Sequence, residues 1–256
     1  MKAGKAAERR QRILSYLERT PVGSTAELCE KLQVSAMTIH RDFQVMAAQG
    51  LITIVRGGAV RNHGTAALYG LQVRQMSMPL EKRRIARTCA GLVQEGMTVY
   101  LDCGSTMELI ARELRSRRGI TVLTASLDGA QMLSGADGPC LIMVPGVYQA
   151  AIRGFSGQMT TDFMERFQVD LAFLGANALD ISCGLTSPDY TDAETKRRLI
   201  RQARRVVVAA DHTKLGCQCF ERIACLSELD VLVTDTDVAP ELLSSLRQEL
   251  KEVICC

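Results

Sequence analysis

Leu28-Cys29-Glu30-Lys31-Leu32-Gln33-Val34-Ser35-Ala36-Met37-Thr38-Ile39-His40-Arg41-Asp42-Phe43-Gln44-Val45-Met46 holds two helical patterns with almost nothing between them. Leu28 and Leu32 stand one turn apart on the first helix, and Gln33-Val34 leaves room only for a tight turn. Ser35 is placed to cap the second helix, whose inward stripe is Ile39, Phe43 and Met46 at i, i+4, i+7. The opposite stripe, Met37, His40, Arg41 and Gln44, is rich in donors. Two short helices joined in this way present the second to a DNA major groove.

The flanks extend the pattern. Upstream, Glu8 to Glu18 reads as a helix with Ile13, Leu14 and Leu17 on one side, broken by Pro21-Val22-Gly23. Ser24 with Glu27 three residues on has the spacing of a capping box. Downstream, Leu51 to Val55, then Arg56-Gly57-Gly58, then Ala59 to Arg61 reads as a β-hairpin, a wing whose Arg56 and Arg61 would lie against phosphates or reach a minor groove. Residues 1–61 hold ten Lys/Arg against five Asp/Glu, a net +5, while the rest of the chain holds 21 against 23. A basic module in front of a near-neutral body suits a phosphate backbone. A helical unit that binds only protein is the bland alternative.

Side-chain chemistry assigns roles on this face. Arg41 can grip guanine or phosphate in a bidentate fashion, Gln44 can read adenine, His40 can donate to a base or phosphate, and Met37 can touch a thymine methyl. Ser35 and Thr38 sit at the helix start, where free N–H groups and the helix dipole favour phosphate oxygens. Asp42 would be repelled by DNA, so it is expected to pair with a neighbouring basic side chain.

The chain has 256 residues, 47% hydrophobic and 23% charged, enough for a full core and against global disorder. No apolar run approaches the roughly 20 residues needed to cross a bilayer, and Met1-Lys2-Ala3-Gly4-Lys5 leads into charged helix. A cytoplasmic protein without membrane attachment is expected. Aromatics are 4% and Trp is absent, which disfavours base-stacking platforms for single strands. The ten cysteines include no C-x-x-C pair and read as small buried hydrophobes. Cys217 and Cys219 with Cys225 and His212 fit no common zinc spacing, so no metal and no cofactor is expected.

Residues 62–78 show no sustained period and carry turn formers, as a linker does, which leaves 79–256 as a second domain. There, strands are expected at Thr98–Leu101, Ile120–Leu123, Cys140–Val144, Val169–Leu174, Arg205–Ala209 and Val231–Val233. Helices fall at Met107–Leu114, Leu127–Leu133, Thr160–Phe167, Thr191–Ala203 and Pro240–Leu250. Such alternation implies an α/β domain with a mainly parallel sheet, whose ligands sit at the carboxyl ends of strands. Asp102-Cys103-Gly104-Ser105-Thr106 follows a strand and opens a helix, offering a flexible Gly, two hydroxyls and helix N–H groups to a phosphate. Simple helix capping explains an isolated loop of this kind equally well. Thr124-Ala125-Ser126 is a second hydroxyl-bearing helix start. Lys196 in a helix and Asp211 with Lys214 after a buried strand add cations for phosphate and carboxylates for sugar hydroxyls.

In the first module, Leu28-x-x-x-Leu32-x-Val34-Ser35-x-x-Thr38-Ile39-His40-Arg41-Asp42-Phe43, with Gly50-Leu51-Ile52 and Arg56-Gly57-Gly58-Ala59, resembles the winged helix-turn-helix of the DeoR family of bacterial transcriptional regulators. His40 stands where that family usually has Arg. Lys82-x-x-Ile85-Ala86, Leu101-Asp102-x-Gly104-Ser105-Thr106, Thr124-x-Ser126, Asp170-x-Ala172-Phe173-Leu174-Gly175, Gly184-Leu185, Glu194-x-Lys196 and Asp211-x-x-Lys214 are similar to its sensor domain. The resemblance covers nearly the whole chain. It implies a fold related to ribose-5-phosphate isomerase and a repressor of carbohydrate metabolism genes, released from DNA by a phosphorylated sugar or related metabolite. Ala125 replaces the family's usual Asn, and Pro145-Gly146 its usual Gly-Gly, so one loop lacks an amide and another is stiffer.

A single winged module makes few contacts, so a homo-oligomer, dimer or tetramer, on repeated half-sites of double-stranded DNA is expected. The alternative is a sugar-phosphate isomerase with Glu194 or Asp102 as general base. Cys103 as a nucleophile is disfavoured because no His lies near it in sequence.

Overall fold

In the computed structural model, residues 2–17, 20, 23–48, 51–55, 57–61, 74–75, 77–135 and 137–256 are described. They fall into two compact units, one of residues 1–63 with 76–78 and one of 64–75 with 79–256.

The first unit opens with helix α1, Lys2–Leu17, which starts a turn and a half earlier than its apolar pattern indicates. Helix α2, Thr25–Leu32, is capped by Ser24, whose Oγ accepts from the Glu27 N–H at 3.1 Å. Glu27 does not return the bond of a capping box; its carboxylate takes the Tyr16 hydroxyl at 2.8 Å. Gln33 ends α2 in the left-handed conformation, φ 54°, and this single residue reverses the chain toward α3, Ala36–Ala48. Ile13, Leu17, Leu28, Ile39, Phe43 and Met46 close a core beneath the three helices. Strands β2, Ile52–Val55, and β3, Gly58–Arg61, pair antiparallel as the wing. Gly58 belongs to β3 and not to the turn. A short strand β1, Gly23–Ser24, read from sequence only as a helix breaker, pairs with β3 on its other edge.

The second unit is built on a seven-stranded sheet in the order β15-β14-β12-β9-β4-β5-β6, with every pairing parallel. The strands are β4 Thr98–Leu101, β5 Thr121–Thr124, β6 Cys140–Met143, β9 Val169–Gly175, β12 Ala203–Ala209, β14 Val231–Thr234 and β15 Glu252–Cys255. Alternate residues of these apolar runs face opposite sides, so the core is two layers, as a sheet covered on both faces requires. Tyr100, Leu123, Leu174, Val206, Val208 and Leu232 fill one layer, joined by Met164, Leu199 and Leu246 from helices at Gln158–Met164, Tyr190–Gln202 and Pro240–Glu249. Val99, Leu101, Phe173, Val207 and Val233 fill the other, joined by Ile85, Ile110 and Leu133 from helices at Pro79–Gly91, Ser105–Leu114 and Leu127–Leu133.

From β4 the chain steps through β5 to β6, then returns to β9 on β4's other side and runs outward through β12, β14 and β15. The direction of winding therefore reverses between β4 and β9, where open α/β sheets leave a crevice. Two small antiparallel groups were not anticipated: β7 Val147–Gln149 with β8 Gly154–Ser156, and β10 Ala178–Asp180 with β11 Gly184–Ser187 and β13 Glu221–Ala224. Among the described residues, no helix is long and apolar enough to cross a membrane.

Candidate functional site

The outward face of α3 is open. Met37 is 76% exposed although apolar, and His40, Arg41 and Gln44 are exposed beside it. The His40 ring lies edge-on to Phe43, 6.4 Å between centroids, which orients it over the core. Ser35 Oγ accepts from the Thr38 N–H at 3.3 Å and shares a hydrogen bond with Thr38 Oγ1 at 3.0 Å, so these two hydroxyls secure the helix start. Asp42 is buried against α1, where Arg9 Nε donates to it at 2.5 Å and Arg10 lies 3.9 Å away. It is structural, as its sign on a DNA-facing helix requires. Arg56, named from the sequence as a wing contact, lies outside the described residues.

A cavity of about 410 Å³ occupies the crevice of the second unit. Asp102, Gly104, Ser105, Thr106, Lys196, Asp211 and Lys214, named from the sequence, all line it. Gly104 holds φ at +133°, a conformation side chains rarely adopt, and starts the helix without any side-chain cap. The first N–H groups of Ser105–Leu114 therefore have no intrahelical partner and no capping oxygen. The Asp102 carboxylate accepts from the Gly175 N–H at 3.0 Å, tying the loop after β4 to the end of β9.

Lys196, 4% exposed, stands 3.4 Å from Asp102 and 3.0 Å from Asp192. Burial works against its charge, but the two carboxylates outweigh burial and hold its pKa above that of an ordinary lysine. The same burial raises Asp102 against the pull of Lys196. Asp192 also accepts from Ser187 Oγ at 2.7 Å, which closes this cluster. Asp211 caps the short 3-10 turn His212–Lys214, which carries the buried Lys214 to the cavity. Burial lowers the Lys214 pKa, with Asp211 opposing. Lys82, 3% exposed, lies 3.9 Å from Asp211, and burial pushes its pKa down to about 8.

Ser126 does not line the cavity. It is buried, and its Oγ accepts from the Gly129 N–H at 3.0 Å as the cap of Leu127–Leu133, so its hydroxyl is spent on its own helix. Glu194 also lies outside the lining and faces Arg197 and Arg198 at 3.3 and 3.4 Å, which removes it as a base for isomerase chemistry. Cys103 does line the cavity, but burial raises its thiol pKa, the reverse of nucleophile activation. His212 turns from the cysteines to Asp235, with Nδ1 at 2.9 Å from Oδ1.

Four polar lining residues went unassigned in the sequence: Arg74, Lys82, Asn177 and Asp192. Lys82 left a signal, since it heads the otherwise apolar stripe Lys82, Ile85, Ala86, Cys89 of a buried helix face. Asp192 stands one turn before Lys196. Arg74 has no periodicity around it and lies in the stretch read as linker.

A winged reader with an exposed donor face, followed by a doubly wound α/β unit with a cationic crevice, defines a ligand-responsive DNA-binding regulator. The chain matches the DeoR-like helix-turn-helix domain over residues 9–65 and the DeoR C-terminal sensor domain over 77–236. It belongs to the DeoR family. It is 31% identical to the glycerol-3-phosphate regulon repressor of Escherichia coli K12, across 90% of this chain and 91% of that one. It is 34% identical to the transcriptional regulator GlpR of Haloferax volcanii over 90% and 89%, and 32% identical to the transcriptional repressor GlcR of Bacillus subtilis over 89% and 88%. Among solved structures, ribose-5-phosphate isomerase A of Methanocaldococcus jannaschii superposes on 52% of this chain and 53% of its own, at a TM-score of 0.39 and 22% identity.

Proposed function

We propose that this chain is a cytoplasmic transcriptional repressor of carbohydrate metabolism genes, released from its operator by a phosphorylated sugar or related metabolite. Residues 1–61 read DNA, 62–78 connect, and 79–256 sense and oligomerise. Ser35, Met37, Thr38, His40, Arg41 and Gln44 of the α3 face, with Arg56 of the wing, meet double-stranded DNA. The phosphate lies at Gly104, Ser105 and Thr106 with Lys214 beside it, while Asp102, Lys196 and Asp211 order the sugar end.

The observation that carries this reading is the uncapped helix start at Gly104 opening on the same cavity as the desolvated Lys214. A dipole end and a buried cation both gain from an anion. The effector acts only through its differential affinity for the DNA-competent arrangement. The chain is a regulator and not an isomerase: Asp102, the remaining candidate base, is bound to Lys196 and the Gly175 N–H.

Operator binding of Ser105→Ala and Lys214→Ala tests the assignment. Both should bind DNA normally and respond weakly to a phosphosugar; an unaltered response in both contradicts the pocket. Turnover of ribose 5-phosphate or another aldose phosphate would contradict the regulator-only reading.

A further inference from the structure

Arg74 comes from the stretch that joins the two units in sequence, yet it lines the effector cavity. Its Nη2 donates to the Ala151 carbonyl at 3.2 Å, while its Nε is buried and has no hydrogen-bond partner among the described residues. Burial pulls its pKa down, and the carboxylates that oppose this, Asp192, Asp102 and Glu108, are engaged elsewhere. Asp192 and Asp102 hold Lys196. One Glu108 oxygen accepts from Gln75 Nε2 at 2.8 Å; the other is itself without a partner, and Glu108 lies outside the cavity lining.

A buried guanidinium donor with no acceptor is costly, and an anion in the cavity would supply the acceptor. The backbone at this point is also held. Lys82 Nζ donates to the Arg74 carbonyl at 2.5 Å, and the Gln75 bond to Glu108 fixes the next residue. A ligand that draws on the Arg74 guanidinium therefore acts on a segment already fastened to the cavity wall and continuous with the DNA-reading unit.

We propose that Arg74 is a direct ligand of the effector's anionic group, so that filling the cavity and setting the path of the connecting segment are one event. This rests on the reading of the cavity as a phosphorylated-metabolite site. It adds to that site a residue from outside the α/β sheet and gives the effector a handle on the connector.

The test is isothermal titration of the full chain with glycerol 3-phosphate, fructose 6-phosphate and inorganic phosphate, repeated on Arg74→Ala, Arg74→Lys and Gln75→Ala. For any probe that binds the unaltered chain, Arg74→Ala should weaken binding about tenfold to a hundredfold, the scale of a charged hydrogen bond. Arg74→Lys should recover part of that loss, and Gln75→Ala should stay close to the unaltered chain. On operator DNA without probe, Arg74→Ala should bind normally, and added probe should no longer release it. Equal probe affinity in Arg74→Ala and the unaltered chain overturns the proposal, as does a loss in Gln75→Ala as large as that in Arg74→Ala. Should Arg74→Ala fail to fold, Arg74→Lys decides: unchanged affinity and unchanged release overturn it. If no probe binds the unaltered chain, the phosphosugar reading itself falls, an outcome distinct from failure of Arg74 alone.

Discussion

Replacing Lys196 by Met isolates the ionic cluster at the cavity floor. Lys196 lies 3.0 Å from Asp192 and 3.4 Å from Asp102, with both the lysine and Asp102 buried. At an effective dielectric of about 20, each contact is worth roughly 5 kcal/mol of Coulomb attraction before desolvation. Desolvation consumes most of that attraction, yet removing one member strands the other charges, for a net loss of about 3–5 kcal/mol. For a domain of this size that is a fall in Tm of about 6–20 °C. The loss should depend on pH with a defined sign. Burial raises the Asp102 pKa in the folded state, and losing Lys196 raises it further. An acid with a raised folded pKa costs stability above its unfolded value, and that cost fades as pH falls through the folded value. The gap between Lys196→Met and the unaltered chain should therefore be widest near neutrality and narrow toward about pH 4. Thermal unfolding followed by circular dichroism at several pH values measures this, and adding Asp102→Asn should return much of the loss. A Tm unchanged at neutral pH, or a gap that widens on acidification, would refute the assignment of a charged, mutually dependent cluster.

Arg41→Ala removes an exposed side chain from the α3 face, so Tm should hold while operator affinity drops by about 1–3 kcal/mol per half-site in fluorescence anisotropy. Phosphosugar affinity should fall as pH rises past about 8, because burial places Lys82 there and a bound anion favours its protonated form; calorimetric titration at pH 7 and 9 checks the sign. Gly58→Ala places a Cβ 2.2 Å from the Gly23 carbonyl oxygen in the β1–β3 pair, which should destabilise the reader by about 1–3 kcal/mol and abolish DNA binding while effector titration is unaffected.

The reader was legible because its signals are local. Ser24, the stripe Ile39-Phe43-Met46 and the oppositely facing Arg41 each follow from helical period or cap chemistry within a few residues. The central parallel strands were legible because both faces are buried and the runs are continuously apolar. The small antiparallel groups escaped because strands of three or four residues, such as Val147–Gln149 and Ala178–Asp180, are too short to establish a period. Ser126 was assigned to the cavity because a serine at a helix start looks the same whether its hydroxyl turns to a ligand or to its own helix. Arg74 was invisible for the opposite reason, since its position depends on the Lys82 and Ala151 contacts and on no pattern of neighbours.

The central claim is that one chain reads an operator with α3 and yields it to a small anion bound some distance along the sequence. An anisotropy titration of the full chain on DNA from upstream of its own gene, with and without a phosphosugar that raises its Tm, addresses that claim most directly. Salt-sensitive binding that the phosphosugar weakens, and that inorganic phosphate at equal concentration weakens less, is the predicted result. Binding that is absent, or unaffected by every phosphosugar that stabilises the protein, would contradict it.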